Sequence, residues 1–511
     1  MVTKALLRCA RKVLLVAVPA LVFGGVSFVA AAPSHAATSE PCDIYAAAGT
    51  PCVAAHSTTR ALYSSYDGNL YKVERTSDST TLNIGVLSAG GVADAAAQDT
   101  FCADTTCTIT EIYDQSGDGN NLTIEGSGGN GGADIGAYAN SLPVTVDGSE
   151  AYGVYIEPGM GYRDDSTTDV ATGSSPEGTY MVTSGTHVNS GCCFDYGNAE
   201  TNNDDNGDGH MDALNFGTEC WFSCYGSGPW VQADLENGLF QSGAGASTNS
   251  SDTGNTSAFV TALEKNNGTT ALALKAGNAQ SGSLTTEYSG SLGSSYDPMQ
   301  KEGAIVLGTG GDDSNSSQGS FFEGVMTSGY PTDAADNAVQ ANIVAAGYAK
   351  ASTPFTTGTE ISLQATTSCC TSDYIEHDAS DDKVVIGAVT SSSTSTVKAD
   401  ATWIVEPGLD NSACISLESA NESGYYLRHY NFELYLEAND STTQFAEDAT
   451  FCPTPGLNGE DYSFESFNYP DQYIRHYNYT AYIASDGGSN AWDASSLWTN
   501  DTTWAVASPW S

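Results

Sequence analysis

The sequence predicts an all-β protein, with an antiparallel sandwich or barrel in its first part and a β-trefoil in its last third. Short apolar runs, for example at residues 180–182, 303–307 and 324–326, are separated by clusters of Gly, Ser, Asn and Asp. This alternation is typical of strands joined by turns. In the last third, two motifs each occur three times in the same order, which indicates three structural units.

The three units, here called lobes one to three, are defined by those motifs. The first motif ends in histidine and lies at residues 374–377, 426–429 and 473–476. The second begins with aspartate and lies at residues 400–403, 448–451 and 501–504. The histidines are 52 and 47 residues apart, and the aspartates 48 and 53. Three strand-rich units favour a β-trefoil over a three-bladed propeller, because propellers usually have at least four blades.

The His–Asp pairs of the lobes are candidates for sugar binding. A neutral imidazole and a carboxylate together supply a donor and acceptors that match vicinal sugar hydroxyls. The alternative is an internal hydrogen bond that fixes the core of each lobe. Lobes two and three also share the order His-Tyr-Asn-aromatic at 429–432 and 476–479, and lobe one departs from it at 377–380. We therefore expect lobe one to bind sugar weakly or not at all.

The first 36 residues have the pattern of a secretory signal peptide. Four basic residues precede an apolar stretch at 13–32, and small residues follow at 34–36, so cleavage is expected after Ala36. A membrane anchor is the alternative, but the stretch is rich in Gly and Ala and ends in a cleavage-like motif. We expect a secreted, extracellular protein.

The strong negative charge of the chain argues against negatively charged partners. The chain has 16 Lys and Arg against 62 Asp and Glu, a net charge of −46. Such a charge repels nucleic acid and anionic membranes, so neither is expected as a partner. Disorder is a poor explanation of the acidity, because 40% of the residues are apolar and 27 are Tyr. We expect a monomer.

An even number of cysteines remains after Cys9 leaves with the signal peptide, and in an exported chain this predicts disulfides. Zinc is the alternative, but the chain has no CxxC pair with partner histidines, so we expect no metal. For the adjacent pair Cys192-Cys193, the residues alone favour separate partners. The pairing of Cys369 and Cys370 is left open, since the two could bond to each other or cap lobe one. Local spacing predicts the bonds Cys42–Cys52, Cys102–Cys107, Cys220–Cys224 and Cys414–Cys452.

One helix precedes a predicted domain boundary. Thr332 and Asp333 can cap a helix that runs to about Tyr348, and its apolar face is formed by Val339, Ile343 and Val344. Residues 351–354, Ala-Ser-Thr-Pro, then read as a junction. We therefore expect a first domain at 37–352 and a second at 353–511.

Two acidic neighbourhoods stand out in the first domain. If residues 231–236 form a strand, alternation places Gln232, Asp234 and Glu236 on one face, and the other face is core. The second is Gly-rich and leads to Asp312 and Asp313 after a predicted strand at 304–307. An exposed turn is the alternative for this second segment. Acids on one side of a sheet are what glycoside hydrolysis requires.

At this point the chain resembles a known family. Residues 192–200, 234–237, 301–305 and 311–312 are similar to segments of family 54 glycoside hydrolases, which are α-L-arabinofuranosidases with an attached family 42 arabinose-binding module. The resemblance runs from about Pro41 to the C-terminus and includes the trefoil motifs. It implies a β-sandwich catalytic domain and a retaining, exo-acting enzyme without a cofactor. The implied substrates and partners are arabinose-containing plant polysaccharides such as arabinoxylan and arabinan.

The resemblance also implies residue roles. Glu236 matches the nucleophile and Asp312 the general acid/base. The residues that match sugar contacts in the catalytic domain are Asp234, Asn237, Gly311, Trp221 and the pair Cys192-Cys193, an expected vicinal disulfide against which the sugar packs. In the trefoil, one arabinose subsite is matched by His429, Asn431, Phe432 and Asp448, and another by His476, Asn478 and Asp501.

Two departures from the family pattern concern the rim of the pocket. Gly238 replaces a second Asn that the family commonly has, so one sugar hydrogen bond is expected to be missing or replaced by water. The Cys220–Cys224 bond is additional and brackets Trp221, whose loop it would stiffen. Two alternatives stay open: a non-catalytic arabinose-binding lectin or adhesin, and a furanosidase with another sugar specificity.

Overall fold

The computed structural model describes residues 39–510 except 104, 244–247, 352–354, 379, 413, 459–460 and 471. The signal peptide predicted at 1–36 lies outside these residues. Within the described ranges, no helix is both long and apolar enough to cross a membrane.

The first part of the chain is built mainly of short strands. Its helices are α1 (Pro41–Ala47), α2 (Ala95–Phe101) and α3 (Asp333–Ala346), with a 3-10 turn at Ser294–Tyr296. Its strands are β1 (Cys52–Ser57), β2 (Asn69–Arg75), β3 (Thr81–Gly85), β4 (Cys107–Ile112), β5 (Leu122–Ile124), β6 (Pro143–Val146), β7 (Ser149–Tyr152), β8 (Val154–Ile156), β9 (Tyr162–Asp164), β10 (Glu177–Thr183), β11 (Asp195–Ala199), β12 (Asp212–Gly217), β13 (Trp230–Asp234), β14 (Leu239–Phe240), β15 (Val260–Asn266), β16 (Ala271–Asn278), β17 (Thr285–Ser291), β18 (Ala304–Leu307), β19 (Gly319–Ser328) and β20 (Ala349–Lys350).

Two antiparallel sheets form a sandwich, as predicted. One sheet has the order β1-β19-β10-β15-β16-β17, and the other has the order β14-β13-β12-β11-β18-β9-β5-β4-β2-β3. Strands β10 and β15 face β11 to β13 across the interface, where a continuous set of buried apolar side chains forms the core. The strand segments predicted at 180–182, 303–307 and 324–326 lie in β10, β18 and β19. The second sheet carries the catalytic candidates.

Helix α3 matches its prediction closely. The Thr332 side chain accepts a hydrogen bond from the backbone N–H of Ala335, which caps the first turn. The helix ends at Ala346, two residues before the predicted end, because Gly347 takes a left-handed conformation with φ +67°. Val339 and Ile343 are buried as predicted, whereas Val344 is only half-buried.

The last part of the chain repeats one strand pattern. Its helices are α4 (Ser395–Asp400), α5 (Thr443–Asp448) and α6 (Trp498–Asp501), with a 3-10 turn at Ala491–Asp493. Its strands are β21 (Glu360–Ala365), β22 (Asp373–Asp378), β23 (Lys383–Ala388), β24 (Trp403–Pro407), β25 (Ile415–Ser419), β26 (Tyr425–Tyr430), β27 (Glu433–Ala438), β28 (Phe451–Pro455), β29 (Tyr462–Ser466), β30 (Tyr473–Tyr477), β31 (Thr480–Ala484) and β32 (Trp504–Ala507).

These strands form a β-trefoil. Strands β21, β24, β25, β28, β29 and β32 pair in that order, and β32 returns to β21, so they close a barrel. The hairpins β22–β23, β26–β27 and β30–β31 cover one end, where β23, β27 and β31 pair with one another around the threefold axis. The prediction of three units is confirmed, and each unit contributes one of these hairpins.

The aromatic residue of the second repeated motif forms the trefoil core. Trp403, Phe451 and Trp504 are fully buried, one from each lobe. The Trp403 indole N–H donates to the Ile375 carbonyl at 3.1 Å, and Trp504 donates to Ile474 at 3.0 Å. Replacing a buried aromatic of this size by alanine costs about 3–5 kcal/mol. The repeat visible in the sequence is therefore first a packing repeat.

The predicted disulfides Cys42–Cys52, Cys102–Cys107, Cys220–Cys224 and Cys414–Cys452 are all present. The vicinal disulfide Cys192–Cys193, which the resemblance implied, is also present, so the separate partners that the residues alone favoured for these two cysteines are not found. Cys369 and Cys370, whose pairing was left open, are bonded to each other. The domain boundary near residue 352 stays a prediction, because residues 352–354 lie outside the described part of the chain.

Candidate active site

Glu236 lies in a hairpin turn and not on a strand. Strand β13 ends at Asp234, and the Leu235 N–H donates to the Gly238 carbonyl at 3.3 Å as the chain turns into β14. Glu236 has φ +84° in this turn, a conformation that tight hairpins require. The prediction that a strand runs on to Glu236 was therefore wrong, although Val231, Ala233 and Leu235 are buried in the core as expected.

Three backbone N–H groups hold the Glu236 carboxylate. Gly207 donates to Oε1 at 2.5 Å, Asn206 donates to the same oxygen, and His210 donates to Oε2 at 3.1 Å. Such donors favour the ionised carboxylate. Burial acts in the opposite direction and is the larger effect, so the pKa of Glu236 is raised to about 7.

Two further buried carboxyl groups accompany the predicted ones. Burial, reinforced by Glu236, raises the pKa of Glu200 to about 9. Burial raises the pKa of Asp195 to about 8, and burial beside Asp195 raises the pKa of Asp234 well above its usual range. Each pair therefore holds a proton that the two carboxyl groups share. Sequence reasoning assigned no role to Glu200 or Asp195.

The loop after β18 brings Asp312 to these carboxyl groups. A Cβ atom at Gly311 would lie 1.8 Å from Glu200 Oε2, so only glycine allows this approach, as the Gly-rich segment predicted. The Asp312 charge is also one cause of the raised pKa of Asp234. Asp312 Oδ1 itself accepts a hydrogen bond from the Ser314 hydroxyl at 2.6 Å.

Arg163, on β9, links the Gly311–Asp312 loop to the segment that carries Glu200. Its guanidinium donates to the Gly311 carbonyl at 2.9 Å and to the Glu200 carbonyl. It also contacts Glu125, 3.3 Å away. Burial raises the pKa of Glu125 to about 8.

Glu125 belongs to the set of carboxyl groups best placed for a metal. Its oxygens lie within 4.8 Å of those of Asp134 and Asp313, and all three residues are buried. Such oxygen ligands suit a hard cation. The Arg163 guanidinium already supplies a positive charge at this place.

The Cys192–Cys193 disulfide borders the Asp312 loop. Cys193 N–H donates to the Ser314 carbonyl and Ser316 N–H to the Cys192 carbonyl, both at 2.8 Å. A Cβ at Gly310 would stand 3.6 Å from the Cys193 Cβ. The disulfide therefore packs against the loop that carries Asp312, where the resemblance expects it.

Trp221 stands at the rim, 51% exposed. Its indole N–H donates to Glu219 at 2.5 Å, and the Glu219 carboxyl lies within 4.8 Å of both sulfurs of Cys192 and Cys193. Sequence reasoning missed Glu219, because only the fold brings it to the disulfide. Asn237 is exposed beside Glu236 and donates to Asp208 at 3.1 Å.

Gly238, where the family commonly has a second Asn, lies against an aromatic ring. A Cβ at this position would lie 2.8 Å from the Phe222 ring, which stacks on Phe240 with centroids 4.9 Å apart. Phe222 belongs to the loop closed by the Cys220–Cys224 disulfide. An aromatic ring therefore fills the space beside Gly238.

The trefoil brings each His–Asp pair together. The Nε2–Oδ1 distance is 3.1 Å for His377 and Asp400, 3.5 Å for His429 and Asp448, and 3.6 Å for His476 and Asp501. A side chain from the next repeat bridges each pair, and these bridges are Asn421, Asn468 and Thr367. The pairs are thus hydrogen-bonded internally, and their sugar-binding role stays a prediction.

Lobes two and three differ from lobe one in their charge. Arg428 donates to Asp448 at 2.8 Å and Arg475 to Asp501 at 2.9 Å. Lobe one has Glu376 at the same place in its repeat, and burial followed by repulsion from Asp400 raises the pKa of Glu376 to about 7. In lobes two and three, burial lowers the pKa of the histidine, which favours neutral imidazole.

The predicted trefoil residues Asn431, Phe432 and Asn478 lie in hairpin turns, where the two asparagines are exposed and Phe432 is half-buried. Asn431 and Phe432, and likewise Asn478 and Tyr479, have positive φ in the β26–β27 and β30–β31 turns. One neighbour was missed by sequence reasoning. The Tyr469 ring lies 5.2 Å from the His429 ring and 5.5 Å from Phe432, although it belongs to the next repeat.

Comparison with known proteins shows the family of the chain. Residues 41–349 match the family model for the catalytic part of α-L-arabinofuranosidase B, and residues 363–506 match its ABFB domain. The chain is 54% identical over 487 residues to the probable α-L-arabinofuranosidase B of Aspergillus clavatus, covering 93% of this chain and 96% of the relative. It is 54% identical over 479 residues to the α-L-arabinofuranosidase of Hypocrea jecorina, covering 91% and 95%.

A solved arabinofuranosidase in complex with arabinofuranosyl-α-1,2-xylobiose is also similar. It shares 51% identity and a TM-score of 0.74, and the match covers 92% of this chain and 99% of that chain. The two family models match the chain in the order catalytic part, then ABFB domain. The chain therefore belongs to the family 54 glycoside hydrolases, the α-L-arabinofuranosidases that carry a C-terminal ABFB domain.

Proposed function

We propose that this chain is a retaining, exo-acting enzyme that removes terminal arabinofuranose side chains from arabinoxylan or arabinan. Glu236 is its nucleophile and Asp312 its general acid/base. The observation that carries the proposal is the convergence of two loops: the turn after β13 and the loop after β18 bring both residues to one group of buried carboxyls beside the Cys192–Cys193 disulfide.

The proposed reaction has two steps. In the first, a Glu236 oxygen attacks the anomeric carbon while Asp312 donates its proton to the leaving oxygen as the glycosidic bond breaks. In the second, Asp312 takes a proton from water, which attacks the same carbon and releases Glu236. Net retention of configuration follows from the two displacements.

The surroundings of Glu236 suit the nucleophile's role. Glu200, whose pKa is the higher of the two, keeps the shared proton, and the backbone donors of Asn206, Gly207 and His210 stabilise the negative charge on Glu236. Glu200 acts through Glu236 and is therefore a positioning residue. The raised pKa of Glu236 predicts that kcat/KM falls as the pH drops through about 7.

The walls of the site suit one furanose ring. The Cys192–Cys193 disulfide offers an apolar, polarisable surface to one face of the sugar. Asp234 and Asn237, on either side of Glu236, supply polar groups for its hydroxyls. Trp221 stands at the rim, where the rest of the polymer leaves the site.

The trefoil holds the enzyme on polymer through lobes two and three. Neutral polysaccharides suit a chain with a net charge of −46. We further propose that the protein is secreted and acts as a monomer. Six disulfides support an oxidising, extracellular environment.

The test uses Glu236→Ala and Asp312→Ala with 4-nitrophenyl α-L-arabinofuranoside. Glu236→Ala should lower kcat/KM by at least about 10³-fold, because it removes the group that attacks the anomeric carbon. Asp312→Ala should lower kcat strongly, because 4-nitrophenolate leaves without a donated proton but the second step still needs the base. Added azide should restore turnover in both variants but give different products. In Glu236→Ala it replaces the nucleophile and gives the glycosyl azide of inverted configuration, whereas in Asp312→Ala it attacks the glycosyl-enzyme without needing a base and gives the azide of retained configuration. Asp78→Ala, which removes an exposed carboxylate near the β2–β3 turn, is the matched control and should keep full activity.

Full activity in either variant would contradict the assignment. The lectin alternative has no support from the relatives, which are named as enzymes. The specificity alternative is tested by comparing aryl galactofuranoside and aryl β-xyloside with the arabinofuranoside. Preference for either of the first two would overturn the substrate assignment and leave the roles of Glu236 and Asp312 intact.

A further inference from the structure

The two sugar-binding lobes differ in one wall. Both have a histidine, an arginine-paired aspartate and an Asn-aromatic turn. In lobe two, Tyr469 closes the space between His429 and Phe432, with ring centroids 5.2 and 5.5 Å away. Tyr469 directly follows Asn468, the residue that bridges His429 and Asp448.

Lobe three has no aromatic residue at the matching place. Its bridging residue is Thr367, whose hydroxyl lies 3.0 Å from His476 Nε2 and donates to Asp501 at 2.7 Å. The next residue is Ser368, which is exposed. Tyr479, the turn aromatic of lobe three, is 61% exposed, whereas its counterpart Phe432 is half-buried against Tyr469.

The loop that follows Thr367 is longer and carries a disulfide. Six residues separate Thr367 from Tyr374, whereas four separate Asn468 from Tyr473. The longer loop contains Cys369 and Cys370, which are bonded to each other.

The disulfide is held close to the subsite. Cys370 N–H donates to the Thr367 carbonyl at 2.8 Å, so both cysteines lie within one tight turn of the residue that touches His476 and Asp501. Cys370 is 4% exposed and packs in the trefoil core, whereas Cys369 is exposed. One end of the disulfide is anchored and the other is open to solvent.

We propose that the Cys369–Cys370 disulfide forms a wall of the lobe-three subsite and takes the apolar face of an arabinofuranose ring, as Tyr469 does in lobe two. The inference rests on the proposed sugar-binding function of the trefoil. The two sulfurs and their methylene groups make an apolar, polarisable surface that needs no aromatic ring. The same chemistry borders the catalytic site at Cys192–Cys193, so the chain uses it twice.

The first test introduces the same double substitution into two variants that each lack one sugar-binding lobe. Cys369→Ala/Cys370→Ala is introduced into His429→Ala, where lobe three alone binds, and into His476→Ala, where lobe two alone binds. Retention on insoluble arabinoxylan at low temperature should fall about threefold to tenfold in the first background, the size expected for loss of one stacking surface. Retention in the second background should not change. Equal losses in both would show a structural role and overturn the proposal.

The second test needs no substitution in the loop, and so it holds even if the double alanine variant does not fold. The intact protein is treated with a mild reductant and an alkylating agent, with and without soluble arabinoxylan, and alkylation of Cys369 is followed by peptide mass spectrometry. Bound sugar should slow alkylation at least threefold in the intact protein and should have no effect in His476→Ala. Equal rates with and without polymer would overturn the proposal.

Hydrolysis of 4-nitrophenyl α-L-arabinofuranoside by the intact protein separates this inference from the proposed enzyme activity. Failure of hydrolysis with a lobe-specific loss of retention would overturn the activity alone. Hydrolysis without that loss would overturn the disulfide's role alone.

Discussion

Asp234 of the active site and Asp448 of the trefoil are almost equally buried, but their partners differ. Asp234 is 5% exposed and Asp448 is 3% exposed. Asp234 has another carboxyl group, Asp195, as its neighbour, whereas Asp448 has the guanidinium of Arg428. A cation fixes the charge of a carboxylate, and a second carboxyl makes it share a proton. The buried aspartates of lobes two and three are thus paired with cations, whereas Asp234 and Glu200 have other carboxyl groups as neighbours.

Lobe one shows the same difference in partners at an equivalent position of the repeat. Glu376 occupies the position of Arg428 and Arg475, so Asp400 has an acid where its counterparts have a cation. Trp403 fills the buried core position that Phe451 and Trp504 fill in the other two lobes. Lobe one keeps the packing of a subsite without its charge pairing, which is consistent with the expectation that it binds sugar weakly or not at all.

The largest expected effect comes from removing a trefoil cation. Arg475→Met leaves the charge of Asp501 buried without its partner and also removes donors to the carbonyls of Trp492, Ala494 and Ser496. Breaking such a pair costs about 3–5 kcal/mol of unfolding free energy. Chemical denaturation followed by tryptophan fluorescence measures it.

The matched control for that change is Glu376→Met in lobe one. It removes a carboxylate beside Asp400, so stability should be unchanged or higher. Similar losses in the two variants would mean that the comparison between paired and unpaired carboxylates does not explain the lobes.

A smaller effect is expected at the Glu200–Glu236 pair. A hydrogen bond from Glu200 lowers the pKa of Glu236, so Glu200→Ala should move the acid limb of the kcat/KM profile to higher pH, by about half a unit to one unit. Glu200→Gln keeps a donor and should move it less. A shift to lower pH in the alanine variant would show that repulsion between the two carboxyls is the dominant effect.

The smallest effect concerns lobe one and pH. Glu376 has a raised pKa of about 7 in the folded protein, so the folded state binds more protons than the unfolded state between about pH 4.5 and 7. Stability from this group is therefore lost as the pH rises through that window. Glu376→Gln should abolish this part of the pH dependence, about 1 kcal/mol or less after solvent screening.

Thermal unfolding of the intact protein and of Glu376→Gln at pH 5 and pH 7.5 measures the difference. The substitution should raise the melting temperature more at pH 7.5 than at pH 5. The opposite order would show that Glu376 is ionised and stabilised in the folded state.

The sequence predicted those features that are local or periodic. Trp403, Phe451 and Trp504 recur at a regular period because each fills the same place in the barrel, so the trefoil was predictable. The pairing of Cys42 with Cys52, and of the other closely spaced cysteines, was predictable because each bond closes a short loop.

Features that depend on contacts between distant segments were not predictable. Nothing in the spacing of Glu200 or Arg163 shows that they meet at Gly311, because they come from different strands of the second sheet. Glu236 was placed on a strand because alternation says nothing about where a hairpin turns. Tyr469 was not predicted for a similar reason, because it belongs to lobe three but packs against His429 of lobe two.

The pairing of β27 with β31 at the threefold axis has a consequence for the polymer. Glu433 on β27 lies opposite Tyr482 on β31, so the turns that carry Phe432 and Tyr479 are parts of one rigid cap. If both lobes bind sugar as proposed, this pairing sets the distance between the two sugars. A polymer gains avidity only where its branches match that distance, and so the trefoil would select for branch density as well as for the sugar itself.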